Sequence, residues 1–235
     1  MHQLSDAPFL CAKFTELLHN SCVNFLQSEA TFAMIKDNSE GGFKMKKFHE
    51  VEIAGLTRQL PLYQIDEETW IPLFIAYNDV ALIQASAAEL LKKVPDFDCI
   101  VTEEIQGISL AYAMTLLAEK ERFVVARKSA KAYMDDVVAI QVVEHREDED
   151  HYKRLYLSKD DAEYIADKRI LLVDDVVLRG STMSALSDLV NALGGYVVGE
   201  ASIIRHGFES IAGDEYIDKS YLLSLPLFSA DGDQI

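Results

Sequence analysis

The sequence predicts an α/β domain built on a mainly parallel sheet flanked by helices, and three observations predict it. From about residue 79 onward, segments with helical apolar spacing alternate with short apolar strands, the order that yields a parallel sheet covered by helices. Residues 170–182, Ile-Leu-Leu-Val-Asp-Asp-Val-Val-Leu-Arg-Gly-Ser-Thr, read as strand, acidic pair, tight loop and helix start. The 235 residues, 49% of them hydrophobic, suffice for one substantial α/β domain with a smaller addition, whereas two full domains would be tight.

Each element has its own local reason. Leu10, Phe14, Leu17, Leu18, Cys22 and Phe25 recur at helical intervals, so residues 9–26 are expected to form an amphipathic helix with a packing stripe. Residues 36–48, with Gly41-Gly42 and four lysines, read as a linker. The alternation of Val51 and Ile53, a turn near Gly55, and then Leu60, Leu62 and Ile65 predict a β-hairpin. Asp79 caps a helix running through Ala81–Lys93, which Pro95 ends. Phe97–Thr102 is a short apolar strand, followed by the loop Glu103–Gly107 and a helix to about Ala118. Arg122–Ala126 is the next strand. The stretch 128–153 is ambiguous: Val137–Val143 is β-like, while His145–His151 is a polar run expected to be mobile. Ser158 caps a short helix over 159–166, ahead of the strand at 170–173. The helix over 181–193 stops at Gly194-Gly195, and Tyr196–Ile204 forms a further strand. In such a fold, ligands bind beyond the carboxyl ends of the strands.

Charge and cysteine usage narrow the function. A net charge of −17 argues against a nucleic-acid or anionic-membrane surface, because those partners need clustered Lys and Arg. A phosphorylated substrate stays compatible, since screening over roughly 8 Å leaves local cations such as Arg122, Arg127, Lys128 and Lys131 in control. Cys11, Cys22 and Cys99 have neither C-x-x-C nor metal-site spacing, which suits a reducing cytoplasm. No apolar run approaches the length of a membrane span, and Asp6 stands where a signal peptide would want basic residues. The six histidines are scattered without ligand spacing and read as structural or solvated.

The chemistry concentrates in two places. Asp174-Asp175 can be a solvated strand end, but an apolar strand precedes the pair and Gly180-Ser181-Thr182 follows it at a helix start. Carboxylates there can hold hydroxyl groups, and the backbone amides of a helix start can hold a phosphate. Gly180 permits close backbone approach, while Ser181 and Thr182 add hydroxyl donors. The spacing and lysine of a Walker loop are absent. A ligand with both a sugar diol and a phosphate fits this layout. Arg127, Lys128 and Lys131 directly follow a strand, where they can grip a pyrophosphate through charge-assisted hydrogen bonds or simply form a solvated basic turn.

The acid pair and its phosphate loop resemble the signature of type I phosphoribosyltransferases. The resemblance extends to Arg127-Lys128-Ser129-Ala130-Lys131-Ala132-Tyr133-Met134 and the Glu104–Gly107 loop, which are similar to segments of adenine phosphoribosyltransferase-like proteins. Val51–Leu62 and Leu225-Pro226-Leu227-Phe228 resemble a bacterial subgroup of these. Similarity covers about residues 49–228, giving an N-terminal helical extension and linker over 1–48 and a phosphoribosyltransferase-like domain over 49–235. The resemblance implies a cytoplasmic homodimer that, with Mg2+, transfers the phosphoribosyl group of phosphoribosyl pyrophosphate to a purine base, adenine foremost. It also implies residue roles. Asp174 and Asp175 would hold the ribose hydroxyls and offset charge in the transition state, Asp174 also touching the metal indirectly. Val176, Val177, Leu178, Arg179, Gly180, Ser181 and Thr182 would bind the substrate, the last five cradling the 5′-phosphate. Glu104, Gln106, Gly107, Arg127, Lys128 and Lys131 would handle pyrophosphate. Residues from about 134 to 153 correspond to a lid, and the hairpin near 51–65 with the C-terminal segment corresponds to a hood over the base. Three departures stand out: relatives usually carry Thr at Arg179, a basic residue at Gln106, and a Ser/Thr-rich lid in place of Glu144, Glu147, Asp148, Glu149 and Asp150. They leave open an alternative, a regulatory protein that binds phosphoribosyl pyrophosphate or a nucleotide without turnover.

Overall fold

The computed structural model describes residues 48–64, 68–134, 136–145, 150–178, 180–206, 218–229 and 233–234. The predicted helix at 9–26, nearly all of the 36–48 linker, Ile65, Arg179 and residues 146–149 lie outside the described residues.

Strands β1 (Phe48–Ile53) and β2 (Leu56–Gln64) form the expected hairpin, with Ile53 opposite Leu56 and Val51 opposite Arg58. Val51, Ile53 and Leu60 are buried between more exposed neighbours, the period-2 pattern of a half-covered strand. After β3 (Thr69–Pro72), helix α1 (Val80–Leu90) starts at Asp79, whose Oδ1 accepts from the Leu82 amide at 3.1 Å. Strand β4 (Cys99–Glu103), helix α2 (Ile108–Leu117) and strand β5 (Val124–Ala126) follow. A second hairpin, β6 (Val138–His145) with β7 (Asp150–Leu157), leads to helix α3 (Lys159–Ile165), capped by Ser158 as predicted. Then come β8 (Arg169–Val177), α4 (Ser181–Ala192), β9 (Tyr196–His206), β10 (Asp218–Leu225) and β11 (Phe228–Ser229).

The main sheet has the order β10-β9-β8-β4-β5 and every neighbouring pair is parallel, which bears out the α/β fold class. A smaller antiparallel sheet has the order β1-β2-β3-β11, so the chain after Leu225 returns to the first hairpin's sheet. Helices divide between the faces. Leu82 and Leu90 of α1 and Leu110 and Met114 of α2 share a core with Val51, Ile53 and Leu60. On the other face, Ile165 of α3 and Met183, Leu186 and Leu189 of α4 pack with Val142, Leu155 and Leu157 of the second hairpin. Strand β8 feeds both, Leu171 and Val173 to one core and Ile170 and Leu172 to the other.

The structure extends the sequence reading in three places. Strand β8 continues past Val173 to Val177, because β9 is long enough to pair it as far as Val177 opposite Arg205. The acid pair therefore lies within a hydrogen-bonded strand. Strand β7 was hidden in a polar run: Leu155 and Leu157 are buried, but the residues that alternate with them are polar. Strand β10, beyond the last predicted strand, pairs in parallel with β9.

Candidate functional site

The parallel register brings the separated motifs to one edge. Glu103 on β4 lies opposite Ala126 on β5, and β4 also pairs with β8, so the carboxyl ends of β8, β4 and β5 are neighbours in that order. These strand ends and the segments that leave them carry Asp174–Leu178 with Gly180–Thr182, Glu103–Gly107, and Arg127–Lys131.

Asp175 is 2% exposed, and its amide donates to Asp174 Oδ1 at 2.9 Å. Asp175 Oδ2 has no hydrogen-bond partner. Burial pushes both carboxyls up, Asp174 to about 8, where the neighbouring Asp175 charge adds to the burial. Two carboxyls in this state favour a ligand that brings hydroxyl donors or positive charge. Gly107 is part of the same fit. A Cβ there would stand 2.3 Å from Thr102 Oγ1, 3.1 Å from Asp174 Oδ1 and 3.2 Å from Asp174 Cα, so only glycine lets the start of α2 pass over the acid pair.

Beyond the acid pair, Val176 packs into the core shared with the small sheet and Val177 into the opposite one. Their side chains anchor β8, which fixes where its loop emerges. Gly180 has φ of 78°, in the left-handed region that glycine tolerates, and it turns the chain into α4. The Ser184 amide donates to the Gly180 carbonyl at 2.9 Å, closing the first helical turn. No side-chain cap and no acidic residue occupies that turn, which leaves the dipole end of a 12-residue helix suited to an anion.

Opposite lies the basic turn, and acids shape it. Burial opposes ionisation of Glu104, but hydrogen bonds outweigh it and hold the carboxyl below the usual range. The Lys128 amide donates to Oε1 at 2.8 Å, Arg127 Nη1 donates to Oε2 at 3.3 Å and Lys131 Nζ lies 3.4 Å from Oε1. Lys128 Nζ pairs with the buried Glu103 at 3.1 Å. Arg127 also exchanges backbone hydrogen bonds with Tyr156 of β7, both at 2.9 Å, tying the turn to the second hairpin. Gln106 is exposed in the intervening loop. Sequence reasoning passed over Glu103, Thr102 and Tyr156. A signal existed for Glu103: Glu103-Glu104 follows an apolar strand just as Asp174-Asp175 does.

This edge therefore offers carboxyls for hydroxyl groups, a helix start for one phosphate and a cationic turn for another. No family model matches the chain. It is 30% identical to an adenine phosphoribosyltransferase of Malacoplasma penetrans over 134 residues, 57% of this chain and 73% of that protein. It is 32% identical to a xanthine phosphoribosyltransferase of Exiguobacterium sp. over 146 residues, 61% of this chain and 72% of that protein. Among solved structures, the adenine phosphoribosyltransferase of Thermoanaerobacter pseudethanolicus has the same fold, with a TM-score of 0.53 at 20% identity over 75% of this chain and 95% of that one. The chain belongs to the type I phosphoribosyltransferase family, and within it resembles the adenine phosphoribosyltransferases.

Proposed function

We propose that the chain transfers the phosphoribosyl group of phosphoribosyl pyrophosphate to a purine base, adenine foremost, releasing pyrophosphate. The observation that carries this reading is the order along the sheet edge: helix start and acid pair on β8, then the carboxylate-braced cationic turn across β4 on β5. A ring nitrogen of the base attacks C1′ of the ribose. The bond from C1′ to the pyrophosphate oxygen breaks with its electron pair leaving on pyrophosphate, and the base's ring N–H proton passes to solvent.

Asp174 and Asp175 accept hydrogen bonds from the ribose hydroxyls and offset the positive charge that builds on the sugar as the bond breaks. The opening turn of α4, from Gly180 through Thr182, holds the 5′-phosphate, with Leu178 and Arg179 completing the loop. Arg127, Lys128 and Lys131 receive the leaving pyrophosphate, and Glu104 and Gly107 position that turn and the acid pair. The donors at the site suit Mg2+ in one manner: they are hard oxygens, with Asp175 Oδ2 unpartnered, but no group of three candidate ligands assembles among the described residues. The ion would therefore be held chiefly by substrate oxygens, with Asp174 touching it indirectly. When bound, it supplies charge neutralisation for the departing pyrophosphate. The reading further takes the protein as a cytoplasmic homodimer in purine salvage.

A panel of adenine, hypoxanthine, guanine, xanthine and uracil, each with phosphoribosyl pyrophosphate and Mg2+, tests this. Base-dependent pyrophosphate release, fastest with adenine, is expected, and Asp175→Asn should lower kcat by about a hundredfold or more. Saturable binding of phosphoribosyl pyrophosphate in calorimetry, with no release on any base, would instead support binding without turnover.

A further inference from the structure

Glu103 closes β4, between the acid pair on β8 and the cationic turn after β5. Its side chain is 6% exposed, so a carboxylate is buried in the middle of the edge that receives a polyanion. On one side its register partner is Ala126 of β5, and Lys128, two residues further on, places Nζ 3.1 Å from Glu103 Oε1. On the other side the pairing of β4 with β8 ends at Val101 opposite Leu172. Glu103 and Asp174 each lie two residues beyond that pair. After burial and the Asp175 charge, the Glu103 charge also helps to raise the Asp174 carboxyl.

The two members of the Glu103–Lys128 pair differ in freedom. The Lys128 side chain is 62% exposed on a flexible stem, while its backbone is tied through the amide that donates to Glu104 at 2.8 Å. Glu103 is fixed in its strand and buried. The ammonium can therefore turn to an incoming pyrophosphate, but the carboxylate cannot follow it. A buried carboxylate that loses its cation is strongly destabilised, more so beside other carboxyls and an arriving polyanion. Pyrophosphate without a metal sets that penalty against every contact Lys128 makes. A divalent cation carried on the pyrophosphate oxygens brings positive charge back to the edge.

We propose that Glu103 makes the binding of pyrophosphate conditional on the metal: it yields Lys128 to the ligand, and Mg2+ replaces the ammonium as its counter-charge. This rests on the function proposed above and names a residue through which that site selects the metal complex of pyrophosphate over the free anion. Glu103 is a positioning residue here, acting through Lys128 and the charge of the ion rather than on the reacting atoms. The effect has opposite signs for the two forms of the ligand. Removing the carboxylate charge helps the free anion, because Lys128 is then unclaimed, and it diminishes what Mg2+ adds.

Calorimetric titration of pyrophosphate into the ligand-free protein, with and without saturating Mg2+, reads this without turnover. Glu103→Gln and Glu103→Met, both uncharged and close to glutamate in length, should each bind metal-free pyrophosphate about fivefold or more tighter than the parent. The factor by which Mg2+ improves pyrophosphate binding should fall about tenfold or more in both. Glu103→Asp retains the charge and should keep that factor within about threefold of the parent's. The inference is overturned if the uncharged variants keep the parent's Mg2+ factor, or if the Asp variant loses it equally. A parent that neither binds pyrophosphate with Mg2+ nor releases it on any base would overturn the transferase reading, and this inference with it. Parent turnover with an unchanged Mg2+ factor in the uncharged variants would overturn the inference alone.

Discussion

At Gly107 one methyl group is enough to disturb the acid pair. A Cβ 2.3 Å from Thr102 Oγ1 cannot be accommodated in place, and the two atoms next in line belong to Asp174. Gly107→Ala should cost about 1–3 kcal/mol in urea unfolding and lower kcat more than it raises either KM, because the displaced carboxyl acts in the transition state. Thr102 Oγ1 has no partner to lose. Thr102→Ala added to Gly107→Ala should therefore recover part of the lost stability, a non-additivity that a double-mutant cycle reads directly. Equal losses in the presence and absence of the threonine hydroxyl would place the clash elsewhere.

Among the elements, Asp79 has two duties. Its carboxylate caps α1 and also takes Arg58 Nε at 2.6 Å and Nη2 at 3.1 Å, joining that helix to the small sheet. Asp79→Ala should cost about 1–2 kcal/mol, with Asp79→Asn and Arg58→Met each costing less, as measured by urea midpoints. The cap was legible in the sequence because capping is local: Asp79 needs only the amide three residues on, and Ser158 needs only that of Asp161. The acid pair and Gly180 were legible for the same reason, as neighbours in one stretch. Arg58 with Asp79, Glu103 with Lys128 and Glu104 with Arg127 were not, since their partners lie more than 20 residues away and only the tertiary fold brings them together. Strand β7 escaped because half of its alternation is polar.

For the whole molecule, the face of α2 directed away from its core bears on assembly. Tyr112 is 59% exposed and Leu116 62%, and Ile105 in the loop before the helix is 69% exposed. Tyr112 and Leu116 stand four residues apart on one side of the helix, an apolar surface that a second copy would cover in the proposed homodimer. Leu116→Glu should halve the mass seen in sedimentation equilibrium at micromolar concentration and leave the far-ultraviolet circular dichroism unchanged. An unaltered mass would remove this face from the interface. The acids of the basic turn bear on how a polyanion is received at all. Because Glu104 already holds Arg127, Lys131 and the Lys128 amide, the turn has its shape before any ligand arrives, and little ordering entropy is left to lose. The same carboxylate competes with the pyrophosphate for those cations. A receptor braced by its own counter-charge grips weakly and lets go quickly, a useful balance where the group being gripped must leave in every cycle.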